Sequence, residues 1–215
     1  MNLVNEAGKL LLGAHDFRNF CKMDVAHGVV EYTRNLTLVE AAPLAQAEES
    51  TPYSMCVLTI KGKAFLWHQV RCIVAVLFRV GAGKEQPEVI SDLLDVEANP
   101  RRPQYTMASE VPLNLFHVEY DEDVDWVYDQ DALAASVRQY QALWTDVSVK
   151  AAMLKASLHQ MEGLLTTVPA PFQAECLVAS NYKTKEYVPL MQMQLCPALE
   201  EKLNSSSAKR RKVLD

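Results

Sequence analysis

Phe65–Lys84 reads FLWHQVRCIVAVLFRVGAGK. Within it Val70, Ile73, Val74 and Leu77 recur at i, i+3, i+4 and i+7, which puts four apolar side chains on one face of a helix. Gly81 and Gly83 are placed to stop that helix, because glycine accepts the positive φ of a C-terminal cap. Arg71 is the anomaly. It sits in a strongly apolar run, and an unpaired charge near a core is costly. Arginine grips a carboxylate through two parallel N–H donors. Spacing alone is also satisfied by a structural ion pair or by a side chain that snorkels to water, and it favours these plainer readings.

Outward from this helix, the flanking segments predict an α+β domain. Residues 2–12 read as a short helix, and His15–Phe20 as a helical turn. Val29–Leu38 and Tyr53–Ile60 are rich in β-branched and aromatic residues and read as strands. Residues 41–52 read as a loop, and Lys61–Lys63 as a turn. Pro87 suits the first turn of a second helix reaching Val96. Leu113–Tyr120 reads as a closing strand. The expected architecture is an antiparallel sheet with helices on one face. Residues 129–143 and 148–162 read as a pair of helices, and residues 163–180 as irregular chain. A polar tail carries the basic run Lys209–Lys212, which looks like a nuclear-import signal.

The chain has 215 residues, 49% of them hydrophobic, which is enough for one domain with a real core. No apolar run reaches the roughly 18 residues of a membrane span, so no membrane partner is expected. The N-terminus does not read as a signal peptide. The five cysteines are odd in number and form no C-x-x-C pair, which favours free thiols over a disulfide framework or a zinc site. The histidines show no metal spacing, so no metal is expected. Net charge is −6, and neither residues 1–120 nor residues 121–215 carry a basic excess. Nucleic-acid binding would need local clusters of positive charge.

Other candidates are few. His15 beside Asp16 allows an acid–base pair, but a capped helix entry with Phe17 and Phe20 in the core is the plainer reading and is favoured. His68 and Gln69 lie within one turn of Arg71, where they either line a polar cleft or face water. No phosphate loop, dinucleotide fingerprint or nucleophile elbow is present.

Four segments in order carry a resemblance. They are Gly13–Phe20 (GAHDFRNF), Phe65–Arg71 (FLWHQVR), Val80–Lys84 (VGAGK) and Pro103–Leu113 (PQYTMASEVPL), followed by a stretch ending at Tyr120. Together they resemble the C-terminal half of the TruA-type tRNA pseudouridine synthases. The wording FRNFCKMD, FLWHQVRC and YVPLM is similar to the eukaryotic branch that acts on tRNA positions 38 and 39. The resemblance implies isomerisation of uridine to pseudouridine in the anticodon stem-loop, without metal or organic cofactor. In that reaction an aspartate attacks the nucleoside, and an aromatic residue stacks on the extruded base.

By the same resemblance, Arg71 occupies the arginine of the H-x-V-R motif, which pairs with the nucleophilic aspartate. His68, Gln69 and Leu113 match pocket positions, and His15, Asp16 and Phe17 match a structural turn. No aspartate here lies in the family's R-T-D-x-G-V-H-A context, so the chain is expected to be a half without the nucleophile and inactive alone. The expected division is residues 1–120 as the C-terminal half of the catalytic domain, 121–162 as a helical extension, and 163–215 as linker and basic tail. tRNA is the expected partner. An exposed sheet edge leaves a homodimer open. Nucleus and cytoplasm are the expected locations. A non-catalytic RNA-binding or dimerisation module is the alternative.

Overall fold

The computed structural model describes residues 1–25, 28–44, 54–165 and 187–205. They fall into two compact units, the first built from residues 1–113 with the C-terminal segment, the second from residues 114–170.

The first unit opens with α1 (Asn2–Lys9), followed by β1 (Gly13–Asp16) and a 3₁₀ turn at Arg18–Phe20. Then come β2 (Thr33–Pro43), β3 (Cys56–Gly62), α2 (Gln69–Gly81) and α3 (Val89–Leu94). The sheet is antiparallel in the order β1-β2-β3. β1 pairs with β2 from Gly13 opposite Leu36 to Asp16 opposite Thr33. The pattern on β3 alternates, with Leu58 and Ile60 packed on the core and Thr59 and Lys61 facing water.

β2 breaks that alternation for a visible reason. Leu36 and Val39 are both buried although they stand three positions apart. A regular strand would point them to opposite faces. The register advances two residues on β2, from Leu36 to Leu38, against one on β3, from Gly62 to Lys61. Thr37 is the extra residue of a β-bulge, and it brings Val39 back to the core side. Gly62 sits against this step. A Cβ there would lie 2.8 Å from Leu36 Cδ2 and 2.9 Å from the Asn35 carbonyl oxygen.

α1 packs on β2 and α2 at two glycine contacts. Gly8 approaches Val39, and Gly81 of α2 approaches Val4. Asn5 joins α1 to the sheet: its Nδ2 donates to the Ala41 carbonyl at 3.0 Å, and its Oδ1 accepts from Ala41 N at 2.7 Å. The core is dominated by α2, whose Ile73, Val76, Leu77 and Val80 are fully buried, with Phe17, Phe20 and Tyr32 in the same cluster. The C-terminal segment closes the unit. Glu85 accepts from Leu190 N at 2.6 Å and from the Tyr187 hydroxyl.

Several expectations change. The first helix stops at Lys9. His15 and Asp16 lie in a strand, so the third strand of the sheet comes from the His–Asp segment and not from Leu113–Tyr120. β2 runs on to Pro43, and Lys61 and Gly62 belong to β3. Residues 114–120 are not strand. Their composition suits a strand, but a strand exists only through a ladder partner, and Leu115 and Phe116 are exposed. Residues 129–162 form one helix, α4 (Gln130–Glu162), and not two. No Gly or Pro interrupts it, and Thr145, Val147 and Val149 lower helix propensity by only a few tenths of a kcal/mol each (about 0.5). Asp129 caps it by accepting from the backbone N–H of Asp131 and Ala132. Most of the expected irregular segment and the run Lys209–Lys212 lie outside the described residues.

Candidate functional site around Arg71

α2 begins at a strained point. His68, the residue before the helix, has φ +61°, the one non-glycine with positive φ among the described residues. Histidine tolerates this region better than most residues, yet the conformation still costs of order 1 kcal/mol and must be held by its surroundings. The holding groups are visible. Gln69 is fully buried, and its Oε1 accepts from Leu66 N at 2.8 Å. The His68 carbonyl accepts from Cys72 N at 3.0 Å. Lys22 N donates to the Trp67 carbonyl at 3.0 Å.

This start fixes Arg71 one turn along. Its Nε donates to the Ala108 carbonyl at 2.8 Å, and Ala108 N donates to the Arg71 carbonyl at 3.1 Å. The side chain is thus clamped to the 103–113 segment through its inner nitrogen. Its outer edge, at Nη2, meets Glu110 Oε2 at 2.8 Å. Arg71 is largely buried, whereas the Glu110 side chain is 68% exposed. An arginine anchored this way presents its charge to whatever carboxylate comes to the same edge. Exchanging an exposed partner costs little, since such pairs are worth about 0–1 kcal/mol.

His68 is half-buried and stacks on Trp67 with ring centroids 4.7 Å apart. Burial first, then the charges of Arg71, Lys22 and Arg102, hold its pKa below the ordinary imidazole range. The imidazole Nδ1 is buried with no hydrogen-bond partner among the described residues, as is Gln69 Nε2. Lys22 Nζ lies 4.8 Å over the half-exposed Trp67 ring. A chain of net charge −6 therefore places Arg71, Lys22 and an accessible indole at the head of one helix, with Arg102 partly buried behind them. Cations interleaved with an open aromatic face are what a nucleic-acid backbone and its bases require.

Behind this surface, Arg102 lies 4.1 Å over the Tyr105 ring and donates to the Tyr105 carbonyl. The Tyr105 hydroxyl donates to the Asn19 carbonyl at 2.7 Å. Burial pushes the Cys21 thiol up to about 12 and raises Cys72 as well, so neither is an activated nucleophile.

The other expected residues lie apart from this cluster. His15 Nε2 sits 2.8 Å from the Leu12 carbonyl. Asp16 receives three bonds from Arg18, through its backbone N, Nε and Nη2. Phe17 is buried and its N–H donates to Tyr32. Leu113 is half-exposed at the end of the first unit. Glu110, Lys22 and Trp67 were not singled out by sequence reasoning. Trp67, four positions before Arg71 in the same motif, was the available signal. Glu110 lies 39 positions from its partner and leaves no local signature.

The family described as tRNA pseudouridine synthase matches residues 7–121. The chain is 36% identical over 220 residues to proteins named tRNA pseudouridine(38/39) synthase from Bos taurus and Homo sapiens, covering 93% of this chain and 46% of each relative. A yeast protein of the same name, from Saccharomyces cerevisiae, is 37% identical over 123 residues, covering 57% of this chain and 26% of its own length. The chain spans about half the length of the curated mammalian relatives it matches. Among the described residues no helix is long and apolar enough to cross a membrane. The match over residues 7–121 spans the helix that presents Arg71 and the 103–113 segment that clamps it, and the chain belongs to the tRNA pseudouridine synthase family.

Proposed function

We propose that this chain supplies the arginine wall of a tRNA pseudouridine synthase that isomerises uridine at position 38 or 39 of the anticodon stem-loop. The observation that supports it is the clamp on Arg71. Its inner nitrogen is held by Ala108 while its outer edge is offered to an exposed carboxylate. In the working site that edge orients the attacking aspartate. His68 and Gln69 stand beside it with unpartnered buried nitrogens, and the family resemblance alone assigns Leu113 to the pocket. His15, Asp16 and Phe17 act as structure. tRNA binds along the Lys22–Trp67 surface. No metal or organic cofactor takes part. The protein works in the nucleus and cytoplasm, with Lys209–Lys212 as the import signal, and it associates as a homodimer.

Release of tritium from 5-tritiated uridine in an anticodon stem-loop RNA tests this. The chain alone releases none. Mixed with the amino-terminal half of the human relative, it does, and Arg71→Ala lowers that release about a hundredfold, the scale on which a misplaced reacting group acts. Release by the chain alone overturns the dependence on a second half, and release insensitive to Arg71→Ala overturns the role of Arg71. A second reading, a non-catalytic RNA-binding or dimerising module, is favoured by Glu110 occupying the carboxylate edge of Arg71. It predicts RNA binding with no release from the mixture.

A further inference from the structure

α4 is 33 residues long and has no buried residue. Beginning at Leu133 and advancing by four and three alternately, a stripe runs to Met161, and every position except Ala151 carries a large apolar side chain. Those side chains face solvent: Tyr140, Trp144 and Leu154 are 74%, 72% and 72% exposed. A helix that merely covers a core repeats near 3.6. A strict seven-residue repeat sustained over four heptads drifts around a straight helix, and it stays on one seam only if two helices supercoil.

The residues on the stripe say which helix fits it. In an antiparallel pair, each layer joins a residue before the midpoint of the helix to one after it. A two-fold axis between residues 145 and 146, at the middle of α4, sets Trp144 against Val147 of the second copy. It sets Tyr140 against Ala151, Val137 against Leu154, and Leu133 against Leu158. The largest side chains thus meet smaller ones, and the whole helix overlaps. A parallel pair would stack Trp144 on Trp144 and leave Ala151 facing Ala151, one layer overfilled and one hollow. Charge agrees. In parallel register Lys150 flanks Lys155 of its partner at the edge positions, a like-charge contact on both sides. Antiparallel, Lys150 flanks Leu143 and Lys155 flanks Ala134. Lys150 is also drawn away from the seam by Asp146, 2.7 Å from its Nζ.

A lipid surface fits poorly. α4 carries Arg138, Lys150 and Lys155 against Asp131, Asp146 and Glu162, so it has no basic excess to meet anionic headgroups.

We propose that α4 forms an antiparallel two-helix coiled coil with α4 of a second copy of this chain, centred between Trp144 and Val147. This rests on the homodimer reading above and gives it an interface. It does not depend on catalysis. The seam is isologous, the same surface on both copies, as a two-fold dimer requires.

Sedimentation equilibrium of the full chain tests it. The wild type is expected to be a dimer, and Ala151→Tyr, which overfills the layer with Tyr140, is expected to weaken it at least about tenfold. Ala151 is exposed in one copy, so this change does not threaten the fold. Adding Tyr140→Ala to the same chain restores the layer and the dimer. A spin-labelled residue at position 131 reads orientation: roughly 45 Å between labels for the antiparallel pair and about 10 Å for a parallel one, from a rise of 1.5 Å per residue. A monomeric wild type, a dimer indifferent to Ala151→Tyr, or the short label distance each overturns the proposal. A two-half mixture that releases no tritium while the dimer is intact counts against the catalytic reading alone.

Discussion

Arg71 and Glu110 meet at 2.8 Å, one largely buried and the other open to water. The asymmetry matters more than the contact. The arginine is fixed by Ala108, so Glu110 contributes little to its placement.

Glu110→Gln is therefore expected to change the stability of the chain by under about 1 kcal/mol in urea denaturation. In the two-half mixture it raises tritium release, because a competing carboxylate has been removed. A fall in release would show that Glu110 takes part in the reaction.

Trp67→Ala should separate binding from folding. The ring is half-exposed beneath Lys22. If it stacks on RNA, its loss weakens affinity for an anticodon stem-loop by about 1–3 kcal/mol. The urea midpoint stays close to that of the wild type. Unchanged affinity in a fluorescence titration would remove Trp67 from the RNA surface.

Asn19 is a stability prediction. It is fully buried, and its Nδ2 donates to the Leu93 carbonyl at 3.0 Å and the Asn99 carbonyl at 2.7 Å. Asn19→Ala leaves both carbonyls without that donor and is expected to cost about 2–3 kcal/mol. Gly62→Ala should cost about 1–3 kcal/mol by overpacking, since its Cβ would strike Leu36 and the Asn35 backbone. Thermal unfolding ranks both.

His68 gives a pH dependence with a definite sign. Its folded pKa is lowered, first by burial and then by Arg71, Lys22 and Arg102. The unfolded chain takes up a proton near pH 6.5, before the folded chain does. Stability from this group is complete above that pH and declines as pH falls toward the folded value. His68→Asn, which tolerates the same positive φ, should show a smaller loss of urea midpoint between pH 7.5 and 5.5. An equal loss would place the acid sensitivity elsewhere.

What was legible in the sequence follows from what is local. The apolar face through Val70, Ile73 and Leu77 predicts α2 because a helix repeats its pattern every few residues. The Thr37 bulge was hidden, since an extra residue looks like any other until two strands are set in register. Leu113–Tyr120 has the composition of a strand, but pairing is a property of two segments and only one was read. α4 was divided near Val147 although nothing there stops a helix, and the division concealed its seven-residue repeat. Arg71 was legible as a charge that needed company. The company it keeps here, Ala108 and Glu110, was set by a fold that brings residues 37 and 39 positions away to its side.

Asn5 leaves one consequence for assembly. Both backbone hydrogen-bonding groups of Ala41 are already occupied by a single side-chain amide, which imitates a neighbouring strand. Any chain seeking to lie along β2 beyond the end of β1 would have to evict α1 first. Growth of the sheet is thereby steered to the outer sides of β1 and β3, and a misfit addition at its middle strand is blocked by α1.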